Sequence, residues 1–308
     1  MKTQSNHPPI ISTLLATKVG NNKGTRILVP SYRSGLMLLL GFLLANPIGV
    51  LAIGNGTPDG GSHPNVGAIV INDPATGPRV ECSGTLIHPE VLLTAGHCPF
   101  FFLSDIQAGL YTIADIFISF NAENALNPAT WLPIRDLFPD PDFVFPPIKL
   151  NNWQDVGVVI LRDPVAGISP ASLPTLGLLD ELKQNKTLKT GRDATKFTVV
   201  GYGDSFQFPP PQVIERDGVR RVAGADYVGL FQTFLKLQTN PVAGDGSVEG
   251  GDSGGPTFWK DAQGRETLVA LTSLGPGISL NSLAFSVRID TDTALGFITE
   301  VLAELHRP

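Results

Sequence analysis

Apolar residues in this chain fall in short runs separated by clusters of turn formers. That is the pattern of many short strands, not of long helices. After a turn-rich stretch at 53–62, the runs Val66–Ile71, Glu81–Ile87 and Val91–Thr94 read as three strands in quick succession. Residues 99–120 read as β-like and end in Asp115–Phe120, while the dense prolines between 121 and 151 (Pro128, Pro133, Pro139, Pro141, Pro146, Pro147) predict long surface loops. Asp155–Leu161 opens on an acid and continues as a buried strand. The polar, Pro-bearing residues 162–195 form the expected junction between two halves. Phe197–Gly203 is a strand ending in a glycine turn, 204–220 a polar loop, and Phe234–Gln238 an alternating, half-buried strand. Thr267–Gly275 and Leu283–Arg288 are further strands. The C-terminus differs: Leu295, Ile298, Val301, Leu302 and Leu305 fall on one face of a helix that Thr291 or Asp292 can cap. Such a helix is expected to pack on its own domain.

The N-terminus has another pattern. The ten apolar residues Leu36–Ala45 suit the hydrophobic region of a signal peptide and are short for a membrane span. Asn46-Pro47 stops any helix there, and Val50-Leu51-Ala52 predicts cleavage after Ala52, with Ala45 as the other candidate. The expected division is therefore a leader at 1–52 and a working region at 53–308. Secretion follows from cleavage, and tethering by the leader follows if it stays uncut.

Composition agrees with a loop-rich β protein: 16% charged residues, 42% hydrophobic, Gly 33 and Pro 26. The first 52 residues carry five cations and no acid; the whole chain has −6, so residues 53–308 carry −11. An acidic body argues against nucleic acid or an anionic membrane as partner. The two cysteines, Cys82 and Cys98, suggest one disulfide in an exported chain and two buried thiols in a cytosolic one.

Candidate chemistry centres on Gly251-Asp252-Ser253-Gly254-Gly255-Pro256. A serine hydroxyl attacks a carbonyl only with a base beside it and donors for the oxyanion, and flanking glycines let backbone N–H groups approach a substrate. His97 sits at a strand end beside Cys98, whereas His63 and His88 read as surface residues. Asp155, at the mouth of an apolar strand, is costly to bury unless a cationic or hydrogen-bonding group meets it, and a histidine held in one tautomer is such a group.

Together these motifs resemble the trypsin/chymotrypsin-like serine proteases. Thr94-Ala95-Gly96-His97-Cys98 resembles that family's histidine motif, Asp155–Val159 its aspartate strand and Gly251–Pro256 its serine motif. Gly201-Tyr202-Gly203 and Ser273-Leu274-Gly275 fall where the family has a glycine turn and a substrate-lining strand, and the resemblance covers about residues 53–305. It implies an all-β fold of two antiparallel six-stranded barrels (53–165 and 190–308) with the active site between them and a C-terminal helix. It also implies a serine endopeptidase, monomeric, acting on protein or peptide substrates without metal or cofactor. Ser253 would attack, His97 would act as base and then acid, Asp155 would orient His97, and the N–H groups of Gly251 and Ser253 would bind the oxyanion. The alternative from another class is a catalytically inactive, protease-like binding protein. An esterase with Gly251, Ser253 and Gly255 as its nucleophile turn is disfavoured, because the acid and histidine come in the wrong order.

The sequence also departs from the family. Glu249 stands where a cysteine often braces the specificity pocket. The expected pocket residues are Ser247 at the floor, Ser273, and Gly275 leaving the mouth open, a neutral site for small or apolar side chains. Ile53 resembles the family's mature N-terminus, whose amine would pair with Asp252.

Overall fold

The computed structural model describes residues 53, 56–147, 153–204, 217–239, 245–246, 248–275 and 282–305. The leader with both cleavage candidates, the pocket-floor candidate Ser247 and most of the loop at 204–220 lie outside them.

The first barrel is built from β2 (Val66–Asp73), β3 (Gly77–His88), β4 (Val91–Thr94), β5 (Ile116–Ser119), β6 (Leu132–Pro139) and β7 (Gly157–Leu161), closed in the order β2-β3-β4-β7-β6-β5. The second comprises β8 (Lys196–Gly201), β9 (Arg221–Leu230), β10 (Phe234–Thr239), β11 (Pro256–Lys260), β12 (Glu266–Leu274) and β13 (Ser282–Arg288). Its order is β9-β10-β13-β12-β11-β8, and pairing of β8 with β9 closes it. All pairs are antiparallel, so closure leaves neither sheet with an open edge except where the short β1 (Thr57–Pro58) adds to β9.

The uninterrupted apolar runs of the first half have a physical reason. In β2, Ile69 and Ile71 point into the first barrel with Leu86, Leu92, Ile116, Val159 and Leu161, while Val66, Ala68 and Val70 join a different core with Phe258, Leu268 and Leu271 of the second barrel. Successive side chains on a strand face opposite ways, so a strand between two cores must be apolar on both sides. Each such Leu or Ile is worth roughly 1.5–3 kcal/mol relative to exposure. A third core fills the second barrel with Phe197, Val199, Tyr227, Leu235, Leu237 and Val269.

Helix α3 (Asp292–Leu305) forms where the 3.6-residue period predicts, with Thr291 Oγ1 accepting from Ala294 N–H at 3.3 Å. It buries Ala294, Phe297, Ile298 and Val301, and Phe297 meets Phe138 of β6 edge-on at 6.2 Å. Leu295 is only half-buried.

Several local expectations need correction. Residues 97–107 form helix α1 (His97–Gln107), not strand. Phenylalanine-rich sequence imitates a strand, but Cys98, Phe102 and Ile106 recur every fourth residue and pack into the first barrel's core. Pro99 is tolerated in a helix's first turn, and Gly109, at φ 75°, follows the C-terminus in the left-handed form that glycine adopts cheaply. The proline-rich stretch contains β6, and the junction contains helix α2 (Leu178–Gln184), whose Leu179 N–H is received by Asp290 Oδ2 at 2.8 Å. Strands β9 and β11 carry weaker alternation than their neighbours and were not expected.

Candidate active site

Strand β4 runs into Ala95-Gly96 and then His97, the first residue of α1. A Cβ on Gly96 would stand 2.7 Å from the carbonyl oxygen of Val156, so only glycine lets this turn press against the chain beside Asp155. Asp155 is fully buried, and three donors meet it. His97 N–H reaches Oδ1 at 2.7 Å, His97 Nδ1 lies 2.9 Å from Oδ2, and Ser273 Oγ donates to Oδ2 at 2.5 Å. These bonds offset the burial of a carboxylate at the mouth of an apolar strand. With Nδ1 donating to Asp155, the imidazole presents Nε2 as an acceptor. Ser273, expected beside the substrate pocket, thus turns its hydroxyl onto Asp155.

The serine loop, between β10 and β11, is held by close backbone contacts. Gly251 and Gly254 have φ of 94° and 78°, and a Cβ on Gly254 would strike Ala95 N and Ser83 O, each at 2.6 Å. The carbonyl of Ser253 accepts Ser83 N–H at 2.8 Å and lies 3.8 Å from Cys98 Sγ, next to His97. The fold thus brings the serine loop against the histidine loop. No hydrogen bond joins His97 to the Ser253 hydroxyl among the described residues, an arrangement that often tightens only with substrate. Among these residues the N–H groups of Gly251 and Ser253 likewise have no acceptor.

Cys82 and Cys98 form a disulfide with an S–S distance of 2.01 Å. It pins the residue after His97 to the residue before Ser83.

Asp252 is buried beneath the loop, with Oδ1 accepting from Gly203 N–H at 2.8 Å and Oδ2 from Glu249 N–H at 2.9 Å. A Cβ on Gly201 or Gly203 would collide with this carboxylate, which accounts for both glycines of Gly201-Tyr202-Gly203. Burial raises the Asp252 carboxyl to about 7; the two N–H bonds oppose the rise, and the charges of Glu249 and Asp204 add to it. Ile53 is also buried, but it packs with the second barrel's core beside Leu179 and Leu182, and no bond links it to Asp252 among the described residues.

A Cβ on Gly275 would stand 3.0 Å from both Cγ2 and the carbonyl oxygen of buried Val248, so the chain at 275 runs close to Val248. Beside His97 an aromatic wall stands in solvent. Phe101 is 41% and Phe145 44% exposed; their rings lie 5.0 Å apart, and Phe101 meets the imidazole edge-on at 6.5 Å.

His63, expected at the surface, is buried. Its Nδ1 lies 2.5 Å from Asp59 Oδ1 and its Nε2 3.3 Å from Glu266 Oε2, while Arg220 Nε donates to Asp59 Oδ2 at 2.9 Å. Burial alone would raise the Asp59 carboxyl, but His63 and Arg220 together bring it down to about 2. Ser62, next to His63, donates its N–H to the Asp59 carbonyl at 3.1 Å and closes the turn that holds this second histidine–aspartate pair. The pair fastens the strap 56–65, which leads from β1 on the second barrel to β2 in the first. Arg220 also donates to Val66 O and to the Tyr202 hydroxyl, which burial pushes up to about 12 and which stays neutral. The Asp59/His63 spacing was the available signal, and it gave no sign of Arg220.

Two closed antiparallel barrels with histidine, aspartate and serine loops converging between them define a serine-protease-like fold. A family model, Trypsin, matches residues 52–294, and the chain belongs to that family. The chain is similar to melanization protease 1 of Drosophila melanogaster, with 25% identity over 273 residues, or 82% of this chain. The match covers 66% of that relative's length, just under two thirds. No helix among the described residues is long and apolar enough to cross a membrane.

Proposed function

We propose that the chain is a secreted serine endopeptidase that works through an acyl-enzyme. The observation that carries this reading is the buried Asp155 carboxylate, which receives both His97 N–H and His97 Nδ1 and so leaves Nε2 as the acceptor of the imidazole. Ser253 Oγ adds to the scissile carbonyl while His97 Nε2 takes its proton. The developing oxyanion is met by the N–H groups of Gly251 and Ser253. His97 then protonates the leaving amine as the C–N bond breaks. Water, deprotonated by His97, releases the acyl group and returns Ser253 to its hydroxyl form.

Secretion rests on the leader at 1–52, with cleavage before Ile53 supplying an amine for the buried Asp252. The close approach of Val248 to Gly275 supports a preference for small apolar side chains at the cleaved residue. The Phe101/Phe145 wall supports a further apolar residue beside it. Labelling with a fluorophosphonate tests the central reading: wild type should label and Ser253→Ala should not. Absence of labelling that depends on Ser253 would leave the inactive binding protein as the better account.

A further inference from the structure

Ser83 lies on β3 of the first barrel, is fully buried, and turns its N–H and its hydroxyl onto the second barrel around the serine. Its N–H donates to the carbonyl of Ser253 at 2.8 Å. Its hydroxyl donates to the carbonyl of Gly251 at 2.9 Å and accepts the N–H of Tyr202 at 3.0 Å. Its own carbonyl accepts Thr94 Oγ1 at 2.8 Å. One residue of the first barrel therefore grips the carbonyls of both residues whose N–H groups are assigned to the oxyanion. The Gly251 carbonyl shares a peptide plane with Asp252 N–H and the Ser253 carbonyl with Gly254 N–H, so holding both fixes the two planes that flank the one carrying Ser253 N–H and limits rotation of the loop between them.

We propose that Ser83 is a positioning residue for the oxyanion site, its hydroxyl locking the Gly251 backbone across the junction of the two barrels. The proposal rests on the endopeptidase reading. It adds that the donors are preorganised from the other barrel, through the residue next to the disulfide that also anchors His97. A donor held in place before charge develops costs no reorganisation in the transition state, whereas a loose one must first be ordered. Substrate binding in the ground state draws little on this alignment, so the effect belongs in kcat, not KM.

Ser83→Ala in the full chain removes the hydroxyl and keeps the N–H bond to Ser253. Activity is expressed per fluorophosphonate-labelled site, which removes any difference in folded fraction. Loss of one orienting hydrogen bond should lower kcat about tenfold and weaken a peptide aldehyde, whose hemiacetal oxygen occupies the oxyanion site, by about tenfold, with KM within about twofold. An unchanged kcat per labelled site, or a loss confined to KM, overturns the proposal. Residue-resolved amide exchange on the wild-type chain decides the matter if Ser83→Ala fails to fold or wild type shows no hydrolysis. Tyr202 N–H should be protected like its neighbours in β8, and exchange at the rate of an open loop overturns the grip itself. Absence of fluorophosphonate labelling in wild type would instead sink the endopeptidase reading, an outcome distinct from failure of Ser83.

Discussion

Ser273 Oγ donates to Asp155 Oδ2 across 2.5 Å, so the carboxylate that orients His97 is itself held by strand β12 of the opposite barrel. If this carboxylate works through orientation, losing one of its donors and losing the carboxylate itself should differ in weight. Ser273→Ala removes one of three donors and should lower kcat about tenfold. Asp155→Asn places an N–H donor toward Nδ1, forces the other tautomer and should lower kcat about 10⁴-fold. Steady-state kinetics per fluorophosphonate-labelled site measure both, and parity of Ser273→Ala with wild type would show that the support is dispensable.

Specificity should move with Val248. Shortening it to alanine clears space against Gly275, and one methylene-sized change in an apolar pocket is worth roughly 10–200-fold in discrimination. Val248→Ala should therefore raise kcat/KM for substrates with Leu or Phe at the cleaved residue relative to Ala. Profiling on a peptide library reads this directly, and an unchanged profile would place the selective contact elsewhere.

The state of Asp252 predicts how stability depends on pH. Its folded value of about 7 lies above the unfolded carboxylate value, so the native chain keeps a proton that the unfolded chain releases. The resulting stability is fully present below about pH 4 and is lost as pH rises through about 7, by about 4 kcal/mol at most. Urea unfolding of the uncut chain should show a falling midpoint over that window. Cutting so that Ile53 becomes the first residue supplies a cation for the carboxylate and should remove the fall. A cut chain with the same slope as the uncut one would disconnect Ile53 from Asp252.

The Asp59–His63–Arg220 group should matter for folding and little for chemistry. Arg220 is 1% exposed, and removing its carboxylate partner leaves a buried charge, so Asp59→Ala should cost about 3–5 kcal/mol. The sign of the pH effect is opposite to that of Asp252. Asp59 is lowered to about 2, so its contribution is present above about pH 4 and lost as pH falls through about 2. Urea midpoints of wild type and Asp59→Ala should accordingly converge in acid, and a constant difference down to about pH 2 would refute the assignment.

Much of this architecture was legible because a few residues serve single, local demands. Gly96, Gly251 and Gly254 mark places where a side chain cannot fit, and Asp155 marks a charge that needed company. The unread parts depend on contacts between segments far apart in the chain. Helix α1 was hidden because its phenylalanines suit a strand as well as a helix, and only the fourfold spacing from Cys98 separates the two. His63 read as a surface residue because its partner Glu266, and Arg220, which shares Asp59 with it, lie more than a barrel away in sequence. The close approach of Val248 to Gly275 likewise joins two separate loops.

The strands shared between cores carry a consequence for variation. Val66–Ile71 in β2, Val91–Thr94 in β4 and Gly157–Leu161 in β7 are buried at every position. A mutational scan of a one-sided strand shows intolerance at every second residue. Here polar substitutions should be rejected in unbroken blocks, so natural drift in this chain is channelled into its loops and into strands such as β9, most of whose positions are only partly buried. The segments that bring His97 and Asp155 together are thus the ones with least freedom to change.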